Sequence, residues 1–215
     1  MAIIVPTITT DQQAVFDANL AELSKFSKRI HVDASDGTLA PTRLLPLSSI
    51  HNQEGITMDV HLMSARPSEH LAEILQLKPA LCIVHAEVDD DLPNLFTQLK
   101  NAGIKVGVAL LRTTFPKRVQ ERIALCDHVM IFAGELGSQG GTIDLLQTEK
   151  VNLVRAIKPD LEISWDGGVN LSNVRAVAHS GVDVIDVGSA ITRAADKAAM
   201  YQSLITESEK KGVLV

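Results

Sequence analysis

The feature that most constrains this chain is an alternation: short apolar, β-branched runs are followed, eight times over, by longer segments of helical period. The runs lie near residues 2–8, 29–33, 57–62, 81–85, 105–110, 128–132, 161–165 and 183–187. The pattern predicts helices at about 11–26, 44–51, 67–76, 91–102, 116–125, 144–157, 171–180 and 193–208. Strand, crossover helix and strand in this order build a parallel sheet, because a parallel pair cannot be joined by a tight turn. Asp11 before the first helix, Ser64 to Pro67 before the third, and Asn170 or Ser172 before the seventh are helix-opening signals. Spread over 215 residues, eight units average about 27 residues each, close to the minimum for a strand, two tight loops and a helix. Two small domains would also suit the length, but no composition shift or Pro/Gly/Ser-rich linker divides the chain. The expectation is an α/β fold, a (β/α)8 TIM barrel in which residues 1–215 form one domain.

Composition narrows the partners. Lys and Arg number 20 against 26 Asp and Glu, a net charge of −6 spread along the chain, so neither a nucleic-acid-binding stripe nor a polybasic membrane patch is expected. No window approaches the roughly 18 consecutive apolar residues of a membrane span, and Ala2 to Val5, cut by Pro6, does not make a signal peptide. Cys82 and Cys126 sit in apolar settings without His or Cys at metal spacing and read as buried free thiols. A cytoplasmic protein acting on a small molecule, without nucleic acid or membrane, is the expectation. Homo-oligomer formation stays open.

Polar residues at the ends of apolar runs are the informative departures, because burying a charge is costly unless it is paired or bound to a metal. A period of two puts His31 with Asp33 on one face of the second run and Asp59 with His61 on one face of the third. The fourth run delivers His85 and Glu87, and the seventh delivers Asp166 directly before Gly167-Gly168. Any one of these histidines alone is more often a hydrogen-bonded core residue. Several together at one end of a barrel make a mixed N/O site for a divalent ion such as Zn, Fe, Mn or Co, although ligands from separate strands have no diagnostic spacing. Gly167 and Gly168 after the seventh run, and Gly188 with Ser189 after the eighth, place backbone N–H groups at helix starts, where an anion is favoured. The loops after the last two strands are the recurrent phosphate site of such barrels. The Gly-rich stretch 134–141 follows the sixth run and is either an active-site lid or a plain surface loop.

These residues resemble the ribulose-phosphate 3-epimerase family over nearly the whole chain. The matching segments are IVPTI (4–8), HVDASDG (31–37), DVHLM (59–63) with Pro67, VHAE (84–87), GVAL (107–110), WDGGVN (165–170), GVDV (181–184) and VGSAI (187–191). The resemblance implies one divalent metal held by His31, Asp33, His61 and Asp166. Asp33 and Asp166 would also act as the acid/base pair that removes a proton from one face of carbon 3 of a ketose phosphate and returns one to the other, through a cis-enediolate. Gly167, Gly168, Gly188 and Ser189 match the family's phosphate-gripping turns, and Thr7, Met63, Arg112, Gly140 and Gly141 fall where substrate contacts are expected. The departures are specific. Ser35 replaces a methionine, Leu111-Arg112 an Asn-Pro, and 133–141 is a longer lid carrying Glu135; Ser164 stands where an acid or amide is common, and Asp186 where the eighth strand is normally apolar. Metal and proton-transfer positions match while the sugar-facing walls do not, so the expected substrate is a ketose phosphate, either D-ribulose 5-phosphate/D-xylulose 5-phosphate or a related pentulose or hexulose phosphate. Two other readings are a non-catalytic barrel that binds a phosphorylated metabolite and a related decarboxylase or aldolase. The latter relies on an Asp-x-Lys-x-x-Asp block, and the stretch Asp59 to Ser64 has no lysine.

Overall fold

A computed structural model describes residues 2–134, 136 and 142–211. Eight parallel strands close on themselves in chain order: β1 (Ile3–Ile8), β2 (Arg29–Ser35), β3 (Thr57–Met63), β4 (Leu81–His85), β5 (Lys105–Leu110), β6 (His128–Phe132), β7 (Glu162–Asp166) and β8 (Val184–Val187). The β1–β8 pairing, with Ile3 opposite Val184, completes the barrel. Each strand lies within two residues of its predicted run, because a parallel strand buried on both faces must be apolar or internally paired along its length.

The helices outside the barrel are α1 (Gln13–Leu23), α2 (Leu71–Leu77), α3 (Leu92–Asn101), α4 (Gln120–Leu125), α5 (Glu149–Ile157), α6 (Val174–His179), α7 (Ser189–Thr192) and α8 (Lys197–Ser208). They pack on the outward residues of the strands, for example Ile30, Val32, Met58, Val60, Val106, Val108, Ile163 and Trp165, in one continuous apolar core. None of the described helices is long and apolar enough to cross a membrane.

Three expectations about helices need correction. The helix expected at 44–51 is a single 3-10 turn, Leu47–Ser49. Pro46 is extended (φ −67°, ψ 152°), and the N–H groups of Leu44 and Leu45 donate instead to Ser35 O and Thr10 O. The first helix begins with Gln12 as its cap rather than Asp11, and α6, the helix expected at 171–180, with Asn173 rather than Asn170 or Ser172. The Asn173 side chain is engaged by Asn170 N, while Asn170 Oδ1 accepts from Ser172 N.

The barrel interior is divided. On the β4–β6 side it is filled by Leu81, Ile83, Ala109, Met130 and Phe132. The β2, β3, β7 and β8 side carries Arg29, His31, Asp33, Asp59, His61, Ser164 and Asp186. Gly107 belongs to this close packing, since a Cβ there would lie 3.2 Å from both His128 and Ile83.

Candidate active site

Register brings the first polar group together. Asp33 of β2 pairs with His61 of β3, and His31 lies two residues back on the same inward face. His31 Nε2 lies 3.3 Å and His61 Nδ1 3.1 Å from the same Asp33 Oδ1. One ligand atom from each of His31, Asp33 and His61 falls within 4.8 Å of the others, and all three residues are buried. Two ring nitrogens and a carboxylate oxygen converging in a buried space are a donor set that a first-row divalent ion fits. Asp166 ends β7, outside that tight trio.

Supporting contacts fix these groups. Thr9 Oγ1 donates to Asp33 Oδ2 at 2.6 Å, which orients the carboxylate. His61 Nε2 faces His85 Nε2 at 2.9 Å, and His85 Nδ1 lies 3.4 Å from Glu87 Oε2. The pattern of a ligand histidine backed by a further polar group is how metal sites set ring orientation.

Asp33 and Asp166 line one cavity of about 520 Å³, together with Thr7, Met63 and Phe132. Gly167, Gly168, Gly188 and Ser189 form another part of its wall. Gly188 caps the four-residue α7 at the cavity edge, where its carbonyl accepts from the N–H groups of Ile191 and Thr192. Only glycine suits position 167: its φ is +119°, and a Cβ would sit 2.3 Å from Gly134 N. That close approach pins the loop after β6 against the turn after β7.

Electrostatics separate the two aspartates. Burial would raise Asp33, but hydrogen bonds and charge from His31 and His61 hold it well below the usual carboxylate range. Burial raises Asp166 well above its ordinary value, and the Asp33 charge adds to this against the opposing pull of His31. Burial lowers His31, yet Asp186, Asp33 and Asp166 push it up to about 10. Burial lowers His61 to about 4, with Asp33 opposing and His85 adding. The surroundings therefore pull the two carboxyl groups in opposite directions, Asp33 toward its ionised form and Asp166 toward its protonated one.

The remaining sequence-predicted residues fall differently. Arg112 is absent from the cavity lining; its guanidinium donates to Ala133 O and to Thr142 O, spanning the two ends of the Gly-rich loop. Gly140 and Gly141, like Glu135 and Ser138, lie outside the described residues. Thr9 and Phe132 line the cavity although sequence reasoning did not single them out. The period of two from Thr7 could have indicated Thr9; Phe132 reads as core apolar whichever way it points.

Residues 3–192 match the profile of the ribulose-phosphate 3 epimerase family. The chain belongs to the ribulose-phosphate 3-epimerase family. It is 26% identical over 182 residues to a ribulose-phosphate 3-epimerase from Aquifex aeolicus, covering 81% of this chain and 82% of that one. A relative of the same name from Helicobacter pylori is 27% identical over 182 residues, covering 81% and 84%. Among solved structures, 3-hexulose-6-phosphate synthase from Salmonella typhimurium superposes with a TM-score of 0.74 at 18% identity, covering 96% and 98%. That likeness is one of fold. As a family member the chain is an isomerase, an epimerase acting on carbohydrates.

Proposed function

We propose that this barrel is a divalent-metal-dependent 3-epimerase of ketose phosphates, with Asp33 and Asp166 as its two proton carriers. The observation that carries the reading is that both carboxyl groups line one cavity, with the His31 and His61 rings converging on Asp33. Inverting a carbon beside a ketone needs a base on one face and an acid on the other, and one enzyme must serve both directions. One of the two aspartates takes the carbon-3 proton of one epimer as a carboxylate, and the other delivers a proton to the opposite face. The reverse reaction exchanges their roles.

His31, His61, Asp33 and Asp166 would hold the ion, whose Lewis acidity stabilises negative charge developing on the oxygens beside the reacting carbon. Thr9 keeps the Asp33 carboxylate aimed by binding Oδ2. Met63 and Phe132 give the reacting carbon an apolar wall that disfavours water. The turns at Gly167-Gly168 and Gly188-Ser189 take the phosphate through backbone N–H groups, which suits an acidic protein binding an anion. D-Ribulose 5-phosphate and D-xylulose 5-phosphate are the first candidate pair; a related pentulose or hexulose phosphate fits the same chemistry.

Incubation with each ketose phosphate in heavy water tests the reading. Deuterium should enter at carbon 3 of the accepted substrate, and Asp33→Asn and Asp166→Asn should each lower exchange by about 10²-fold or more. Absence of uptake from every pentulose and hexulose phosphate, in protein supplied with zinc, manganese, iron or cobalt, would overturn it.

A further inference from the structure

Strand β8 carries a carboxylate, Asp186, between Ile185 and Val187, and it is only 2% exposed. A carboxylate in a barrel interior is costly unless something there holds it. Its Oδ1 is buried without a hydrogen-bond partner, and so is Nδ1 of His31; the two orphaned atoms face each other at 3.7 Å. A small movement of either brings them to the ~3 Å of a charge-assisted hydrogen bond.

The other charged groups that act on Asp186 are already engaged. Arg29 donates to Asp59 at 2.6 Å and to both oxygens of Glu162 at 2.8 and 2.7 Å. His128 bonds Glu162 and Ser164, each at 2.9 Å. Asp59 is a like charge. His31 Nδ1, itself without a partner and 3.7 Å away, is the ring nitrogen that faces Asp186 Oδ1.

The opposite edge of the same ring matters for the site. With Nδ1 turned to Asp186, Nε2 is the nitrogen that faces Asp33 Oδ1 within the His31, Asp33 and His61 trio. A ring that donates Nδ1–H to a carboxylate keeps its Nε2 lone pair for a metal, and the carboxylate increases ring basicity. An apolar residue at 186 would leave Nδ1 orphaned and the ring free to rotate.

We propose that Asp186 is a positioning residue, which accepts Nδ1–H from His31 and so fixes the ring with Nε2 toward the metal-binding trio. The proposal rests on the metal-site reading above for its consequence, but the hydrogen bond itself does not require a metal. Zinc or manganese affinity by chelator competition, and the His31 Hδ1 resonance by NMR of the metal-free protein, test the two parts separately. The parent should show a downfield, slowly exchanging Hδ1 signal, lost in Asp186→Val and retained in Asp186→Asn, whose amide oxygen still accepts. Metal affinity should fall about 10- to 100-fold in Asp186→Val and return to within a few-fold of the parent in Asp186→Asn. A parent without the Hδ1 signal overturns the proposal, as does a folded Asp186→Val that binds metal like the parent. Should the valine variant fail to fold, the parent's signal and its persistence in the asparagine variant still decide. A parent that shows the signal but takes up no metal removes the metal reading while supporting the Asp186–His31 contact.

Discussion

Two aspartates share one cavity, and the groups around each decide where its proton sits. Asp33 has two histidines and the Thr9 hydroxyl on its oxygens, whereas Asp166 meets burial and a like charge first. The same field sets a pH dependence that can be read from stability. His31 has a folded-state value of about 10 against an ordinary 6.5, so its contribution is fully present below 6.5 and is lost as pH rises toward 10. His61, lowered to about 4, contributes above 6.5 and loses that contribution as pH falls toward 4. Protein stripped of metal by a chelator should therefore lose melting temperature as pH rises from 6.5 toward 10, an alkaline limb that His31→Asn flattens. Differential scanning calorimetry across pH 5–10 checks this, and an unchanged alkaline limb in the variant would contradict the assignment. These residues were visible in the sequence because inward-facing polar groups interrupt apolar strands with a period of two. Thr9, one step beyond its strand, offered no such interruption, and Asp186 stood out only as a charge in a strand expected to be apolar.

Arg29 couples elements that are not neighbours. Standing on β2, it donates to Asp59 of the adjacent β3 and forms a two-pronged pair with Glu162 of β7, so its guanidinium bridges across the lumen. Asp59 is 2% exposed, and replacing Arg29 with methionine would leave that charge buried without its cation. Breaking a buried pair from one side costs about 3–5 kcal/mol, which sets the loss expected for Arg29→Met. Urea unfolding followed by circular dichroism measures it, and a loss below about 1 kcal/mol would show that the clamp is dispensable. Elements whose form depends on such local pairing are those the sequence conveys least. The strands follow from apolar runs, and the long helices from periodicity and length. Residues 44–51 carry a helix-like pattern, yet Pro46 and two backbone hydrogen bonds to other elements convert it into one 3-10 turn. The short α7 was missed for the opposite reason: its four residues are too few to show a period, although Gly188 and Ser189 marked where it starts.

At the scale of the whole molecule, the ring order β1 to β8 brings β2, β3 and β7 to one cavity although Asp33 and Asp166 stand far apart in the chain. Barrel closure follows from eight evenly spaced units; the meeting of particular ligand atoms depends on register, which spacing alone does not give. On the proposed metal reading, this arrangement would tie ion binding to the global fold, since the trio comes from two paired strands and Asp166 from a third. An unfolded chain offers no such convergence, so a bound ion stabilises the folded state by mass action. At free metal about 1,000 times its dissociation constant, the gain is about 4 kcal/mol. For a domain of this size each kcal/mol raises the melting temperature by roughly 2–4 °C, which gives an expected rise of about 8–16 °C. The rise should disappear with excess chelator and shrink strongly in His31→Ala and His61→Ala, whereas His51→Ala, an exposed histidine away from the cavity lining, should retain it. A melting temperature indifferent to zinc, manganese, iron and cobalt would mean that the buried trio is held by its own hydrogen bonds, and the proton-transfer pair would then have to work without the ion.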